Sequence, residues 1–112
     1  MVDGDDGVRF FARDELSFRE DVPGAEFWAV SLERASLTRY RVAPHTRFER
    51  HAHEGEQITH VIEGELYFEF DDRLICVHAG AVVAIPPGVP HAVIAGAEDV
   101  VAVDAWSPPI VL

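Results

Sequence analysis

Residues 51–57 of this chain read HAHEGEQ and residues 86–91 read PPGVPH, and these two stretches decide its fold and chemistry. If the first stretch is extended, His51 and His53 point to the same side of the backbone, about 6.6 Å apart at roughly 3.3 Å per residue. That spacing lets two imidazoles converge on one metal ion. A histidine pair alone is also typical of solvated or hydrogen-bonded histidines, so both interpretations stand at this point.

Other side chains in these stretches are suited to the same ion. Gln57 shares the parity of the histidines and offers a carbonyl oxygen, whereas the adjacent Glu56 offers a carboxylate. His91 follows a loop in which three prolines fix φ and remove backbone donors. A stiff loop of this kind holds a further nitrogen donor in place.

Short apolar runs separated by turn residues predict an all-β fold. We expect strands over 27–32, 37–42, 57–62, 66–70, 74–77, 82–85, 91–94 and 100–106, with β character at 51–53. Turn signals recur about every 8–12 residues and no window has a helical period, which is typical of a sandwich or barrel. Residues 1–22 are predicted to form an N-terminal arm, with 9–12 as a candidate strand, and residues 23–112 a single domain.

Composition excludes several classes of partner. The net charge is −11 and all nine basic residues are arginine, so neither nucleic acid nor an anionic membrane is an expected partner. This acidic, lysine-free composition fits a high-salt cytoplasm or a GC-rich genome. Cys76 is the only cysteine and is interpreted as a small buried side chain. The chain shows no signal peptide and no apolar run of about 18 residues, so we expect a cytoplasmic protein.

The two stretches extend into patterns that resemble the two cupin motifs. The first has its closing glycine at Gly64 and the second begins at Gly80, so the resemblance spans about residues 40 to 106. It implies a double-stranded β-helix, or jelly-roll barrel, whose mouth binds one divalent metal ion per chain. The implied ligands are His51, His53, Gln57 and His91, and nickel, iron, manganese and zinc all accept histidine-rich sites.

The chain departs from the cupin pattern at three positions. His45, Gln57 and Ala95 stand where a glycine, a glutamate and an asparagine are usual. The glutamine matters most, because four neutral ligands leave the full +2 charge on the ion. Such an ion is a stronger Lewis acid and attracts anionic ligands more strongly than one bound by a glutamate.

Residues 51–58 and 103–109 resemble one cupin subfamily in particular: the small cupins of pectin and alginate degradation, which convert 4,5-unsaturated monouronates to linear keto acids. This resemblance implies catalytic roles for Asp104 and Trp106. Ile110 stands where that subfamily has an arginine, which leaves Arg39, Arg41 and Arg50 as candidate replacements. From position alone, the favoured interpretation is that Asp104 caps a turn or pairs with an arginine and that Trp106 is an ordinary core residue.

These observations predict a metal-dependent enzyme that acts on a small polar or carboxylated, sugar-acid-like molecule by isomerisation, ring opening or elimination. The alternatives are an iron-dependent dioxygenase and a non-catalytic binding or sensor cupin. We also expect a homodimer, because the apolar segments 10–11 and 27–32 offer sheet edges that need covering.

Overall fold

Ten strands form just over half of residues 6–111, the part of the chain that the computed structural model describes. A single 3₁₀ turn spans Arg13–Glu15, and no helix in the described range combines the length and apolarity of a membrane crossing. In chain order the strands are β1 (Arg19–Glu20), β2 (Ala25–Ser31), β3 (Ser36–Val42), β4 (Arg47–His51), β5 (Glu56–Glu63), β6 (Glu65–Glu69), β7 (Leu74–His78), β8 (Val82–Ile85), β9 (His91–Ala95) and β10 (Val100–Ser107).

The strands form two sheets whose order differs from their order in the chain. One sheet has the order β1-β2-β3-β10-β5-β8 and the other β4-β9-β6-β7, and all neighbours are antiparallel. Side chains from both sheets form one core. This arrangement confirms the predicted all-β jelly-roll class. The buried core includes Phe27, Tyr40, Val42, Val61, Leu66, Phe68, Val77 and Val100.

One end of this interior is polar. Alternation along β5 buries Gln57 and Thr59, and alternation along β10 buries Asp104. The antiparallel register places Asp104 between Thr59 on β5 and Thr38 on β3, which is also fully buried. Because successive residues of a strand point to opposite faces, these polar side chains share the interior with the apolar core.

The N-terminal arm differs from the prediction. Residues 1–5 and 112 lie outside the described residues, so the arm predicted over 1–22 is described from Asp6 onward. The candidate strand at 9–12 is wrong, because these residues pair with no sheet, and the strand of the arm is β1. An extended segment becomes a strand only beside an available sheet edge, and the position of that edge is a tertiary property.

The region before His53 also differs from the prediction. Strand β4 begins at Arg47 and ends at His51, with an irregularity in its pairing after Phe48, so His53 lies in the following loop. Residues 47–51 are polar or charged except for Phe48 and mostly exposed, because β4 is an edge strand. Such strands carry charges that protect the edge, and they lack the apolar alternation that marks a strand in the sequence.

Candidate metal centre

Three histidine side chains meet at the polar end of the barrel. His51 ends β4 and lies opposite His91, the first residue of β9, in the antiparallel register. Their ring centroids are 4.5 Å apart, and the ring of His53 lies 5.6 Å from His51 and 5.3 Å from His91. The three potential ligand atoms all lie within 4.8 Å of one another. The fold thus brings together the histidines of the two sequence stretches.

Each of the three rings is held by a hydrogen bond between Nδ1 and a backbone carbonyl two residues away. Because a carbonyl oxygen only accepts, Nδ1 carries the proton, and a neutral ring then has a lone pair on Nε2. Hydrogen bonds of this kind fix the tautomer and orientation of metal-binding histidines. The acceptors are Glu49 O for His51 at 2.8 Å, Gly55 O for His53 at 2.9 Å and Val89 O for His91 at 2.8 Å.

His91 fits a metal ligand most clearly. Its side chain is fully buried, and Nε2 has no hydrogen-bond partner within residues 6–111. An unsatisfied buried polar atom costs roughly 1–3 kcal/mol, and a bound cation would remove that cost. Burial, with smaller contributions from the neighbouring His51 and His53, lowers the pKa of His91, so its ring stays neutral and its Nε2 lone pair remains available.

Gln57 is oriented toward the histidines by its own hydrogen bond. Its Nε2 donates to Thr59 Oγ1 at 2.9 Å, which turns Oε1 to within 2.9 Å of His53 Nε2. Both of these atoms are acceptors when His53 is neutral and protonated on Nδ1, so the contact is unfavourable unless a proton or a metal cation lies there. Glu56, the alternative donor, is exposed and points away from the interior.

The two predicted catalytic residues also lie at this end of the barrel. Asp104 is buried and accepts a hydrogen bond from Thr38 Oγ1 at 3.5 Å, while its Oδ1 has no partner in the described part of the chain. The same Thr38 hydroxyl accepts a hydrogen bond from Trp106 Nε1 at 2.9 Å. The ring of Trp106 lies edge-on to His53, with centroids 5.3 Å apart. Asp104 therefore neither caps a turn nor pairs with an arginine.

Burial changes the acidity of Asp104. Desolvation raises its pKa to about 6 from the ordinary value of 3.8, although the neighbouring hydroxyl groups of Thr59 and Thr38 oppose this rise. A carboxyl group with such a pKa exchanges its proton near neutral pH. The carboxyl group of Asp104 therefore titrates closer to neutral pH than an ordinary aspartate does.

A cavity of about 580 Å³ opens beside the histidines. Its volume lies within the range of roughly 300–1,000 Å³ that is usual for small-molecule sites. Exposed His51 marks its opening to solvent, and Asp104 lies on its wall. Most of the remaining wall is apolar, from Val42, Phe48, Leu66, Phe68, Val93 and Ala102.

No arginine lines this cavity among the described residues. Arg41 forms an ion pair with Glu26 at 2.7 Å, and Arg50 forms one with Asp71 at 2.5 Å, both on the surface. Arg39 lies on β3 at the parity of these outward-facing positions, and Ile110 itself lines the cavity. None of the three candidate arginines therefore takes the place of the arginine that the subfamily has at the position of Ile110.

Some cavity residues were not found from the sequence. Tyr40 donates a hydrogen bond to Asp21 Oδ2 at 2.9 Å, and both residues line the cavity. Burial, and then the charge of Asp21, raise the pKa of Tyr40, so its hydroxyl remains a donor. Tyr40 and Thr38 lie two residues apart on β3 and both point inward. This alternation along the strand was the feature of the sequence that could have predicted both positions. Asp21 gave no such signal, because it lies in the arm.

A second group of metal-ligating side chains lies outside this cavity. Glu65, Cys76 and His78 have ligand atoms within 4.8 Å of one another, on strands β6 and β7. None of the three lines the cavity of the histidine site. The two clusters are therefore separate features of the molecule.

Comparison with known families identifies the class of protein that this fold and site define. The cupin domain family matches residues 38–106, which is more than half of the chain, and the chain belongs to this family. The predicted cupin membership is thus confirmed. A comparison of the sequence with curated proteins finds no match.

Solved structures share the same fold. KdgF from a Halomonas species has a TM-score of 0.82 and 20% identity, covering 90% of this chain and 94% of that chain. An RmlC-like cupin from Shewanella frigidimarina has a TM-score of 0.81 and 20% identity, with coverages of 90% and 91%. The S161A mutant of Bacillus subtilis oxalate decarboxylase has a TM-score of 0.78 and 19% identity, covering 88% of this chain but 29% of that chain. At these identities the likeness establishes the fold.

The raised pKa of Asp104 predicts a pH-dependent stability in the metal-free protein. Between pH 3.8 and about 6 the folded protein binds a proton that the unfolded chain releases, so this group lowers stability progressively as pH rises through that window. An Asp104→Asn variant has no titrating group at this position, so it lacks this pH-dependent loss of stability. Its free energy of unfolding relative to wild type should rise by up to about 3 kcal/mol between pH 4 and pH 6 and then level off.

Urea denaturation of both proteins in a chelating buffer, at several pH values, measures this difference. A difference in unfolding free energy that stays constant from pH 4 to pH 7 would show that Asp104 keeps its ordinary pKa in the folded protein.

Proposed function

We propose that this cupin is a metal-dependent enzyme that acts on a small carboxylated, sugar-acid-like molecule by isomerisation, ring opening or elimination. The observation that carries the proposal is the convergence of three histidine rings and an amide oxygen on a cavity that also contains a buried carboxyl group. Metal ligands and a proton-transfer group are the two components that such reactions need.

The proposed ligands are His51, His53, Gln57 and His91, which would hold one divalent ion. All four are neutral, so a bound ion would keep its full charge and supply Lewis acidity toward a carboxylate or carbonyl oxygen. The backbone hydrogen bonds at Nδ1 keep the three rings in the tautomer that leaves Nε2 available. The Thr59 hydroxyl likewise orients Gln57, because it accepts a hydrogen bond from the amide nitrogen.

We assign Asp104 the role of general acid or base. Its side chain lines the cavity, which places the carboxyl group next to a molecule bound there. Thr38 holds one carboxyl oxygen, and Trp106 shares this hydroxyl, so the carboxyl group is positioned by two neighbouring side chains. Trp106 in addition supplies an apolar wall next to His53.

The cavity suits a compact, partly apolar substrate whose anionic group would bind at the proposed metal centre. No arginine lines the cavity in residues 6–111, so the charge of a carboxylate would be matched by the metal centre rather than by a guanidinium clamp. The resemblance to the uronate-linearising cupins and the structural likeness to KdgF and an oxalate decarboxylase also support a carboxylated substrate. Ile110 makes the substrate different in detail from that of the subfamily.

The ligand assignment predicts a defined loss of metal. Replacing His51, His53 and His91 together by alanine should remove one equivalent of divalent metal per chain relative to wild type, as measured by elemental analysis. Replacing Gln57 alone should weaken binding without abolishing it, because three imidazoles remain. The control is His60→Ala, which removes an exposed histidine on the outer face of β5. A triple variant that binds as much metal as wild type would contradict the assignment.

The role of Asp104 predicts a loss of rate. Small sugar acids that raise the Tm of the metal-loaded protein provide the substrates to test. On a substrate that is turned over, Asp104→Asn should keep its metal and fold but lower kcat about a hundredfold or more, in line with general acid–base contributions. The exposed Asp72→Asn control should turn over normally. Near-normal kcat in the Asp104 variant would assign this residue a structural role, and binding without turnover in wild type would support a binding protein instead.

We further propose that the protein is a cytoplasmic homodimer. Residues 10–11 form no strand, so they offer no sheet edge to a second copy. The outer face of the larger sheet supports the dimer instead. Exposed Leu37 lies in register with Ala105, which in turn lies in register with exposed Ile58, so an apolar row crosses three strands. Burying such a row is a common role of subunit interfaces.

The dimer predicts a mass near 25 kDa at micromolar concentration, twice the 12.4 kDa of the chain, by light scattering. Ile58→Glu places a charge in the apolar row and should give the monomer mass, whereas the exposed Val111→Glu, outside the sheets, should not. A monomeric wild type would exclude this assembly.

A further inference from the structure

The outer face of the smaller sheet carries a cluster that the barrel chemistry does not use. Glu65 lies opposite His78 in the register of β6 and β7, and Tyr67 lies opposite Cys76. The interpretation of Cys76 as a buried small residue is wrong, because its side chain is half-buried on this outer face and contacts polar groups. Strand β7 is an edge strand, so the cluster is open to solvent.

The three potential ligand atoms form a compact triangle. The distance from Cys76 Sγ to Glu65 Oε2 is 3.6 Å, the distance from Sγ to His78 Nδ1 is 3.9 Å, and the distance from Nδ1 to Oε2 is 3.1 Å. In a tetrahedral zinc site the corresponding separations are about 3.6 Å from sulfur to either lighter atom and about 3.4 Å from nitrogen to oxygen. Each edge of the triangle agrees with these values to about 0.4 Å.

The carboxylate of this cluster is held for ligation. Tyr67 donates its hydroxyl hydrogen bond to Oε1 of Glu65 at 2.8 Å, which directs Oε2 toward the sulfur and the imidazole. Gly96 leaves room for the side chain, because a Cβ there would lie 2.8 Å from Glu65 Cγ. A carboxylate oriented by a neighbouring donor is typical of metal sites.

We propose that Glu65, Cys76 and His78 form a second metal site, suited to zinc, in which a water molecule completes the tetrahedron. A thiolate favours zinc over magnesium, calcium or manganese, which prefer oxygen ligands. On binding, the thiol proton of Cys76 is released to solvent and a sulfur–zinc bond forms. The imidazole of His78, which is 72% exposed, carries its remaining proton on Nε2 toward water.

The charges of the two sites differ. One thiolate and one carboxylate neutralise the dication at this outer site, whereas the barrel ligands are all neutral. A bound ion would link β7 to β6 at the sheet edge, away from the cavity beside the three histidines. The proposal does not depend on the metal centre in the barrel.

Cobalt(II) tests this site selectively, because the barrel donors contain no sulfur. Adding cobalt to the reduced, full-length protein should produce a sulfur-to-cobalt charge-transfer absorption in the near ultraviolet, and zinc should remove it by displacement. Cys76→Ser should abolish the band. His78→Gln and Glu65→Gln should weaken cobalt binding at least about tenfold, and Tyr67→Phe should weaken it by a smaller factor. The matched control is His60→Gln, an exposed histidine on the other sheet, which should bind cobalt as wild type does.

A second measurement uses zinc itself and does not require the variants at Cys76. Zinc should slow the reaction of the single thiol with a disulfide reagent at least about tenfold in wild type and much less in His78→Gln. The His51, His53 and His91 triple variant should keep both the band and the protection, which separates this site from the barrel site. Absence of the band in wild type, or unchanged cobalt affinity in His78→Gln, would overturn the proposal.

Discussion

The alternation of side chains along paired strands is the constraint on which the rest of this structure depends. Every second residue of β5 and β10 enters the barrel, and the antiparallel register then decides which inward residues become neighbours. At one end of these strands the inward residues are apolar and form the core. At the other end they are Gln57, Thr59 and Asp104, so the same rule that builds the core also builds a polar chamber.

Within that chamber the backbone itself prepares the histidines for metal. A carbonyl two residues away takes the Nδ1 hydrogen bond of each ring, so the orientation of the ligands depends on local chain geometry rather than on distant side chains. The Nε2 atom of the buried His91 has no hydrogen-bond partner among the described residues. Oriented donors and one unsatisfied buried nitrogen are what the proposed barrel metal site requires.

The same alternation places chemistry on the opposite face of the smaller sheet. Outward residues of β6 and β7 bring a carboxylate, a thiol and an imidazole together without any contribution from the barrel interior. The two clusters differ in donor type, because nitrogen and amide oxygen surround the cavity whereas sulfur and carboxylate oxygen lie on the edge. The two proposed sites therefore differ in chemistry because they differ in donor type and in charge.

The sequence by itself determined the family, the all-β class, most strand positions and the four residues proposed as ligands in the barrel, because spacing and parity are local properties of the chain. The sequence did not predict β4, because the charged residues of this edge strand lack an apolar alternation. It also placed the strand of the arm at 9–12 rather than at β1. Only the tertiary structure decided the tautomers of the histidines, the absence of arginine from the described cavity wall, and the meeting of Glu65 with Cys76 and His78. These features depend on the register between strands and on which sheet edges are available, and such long-range pairing is set by the packing of the whole barrel.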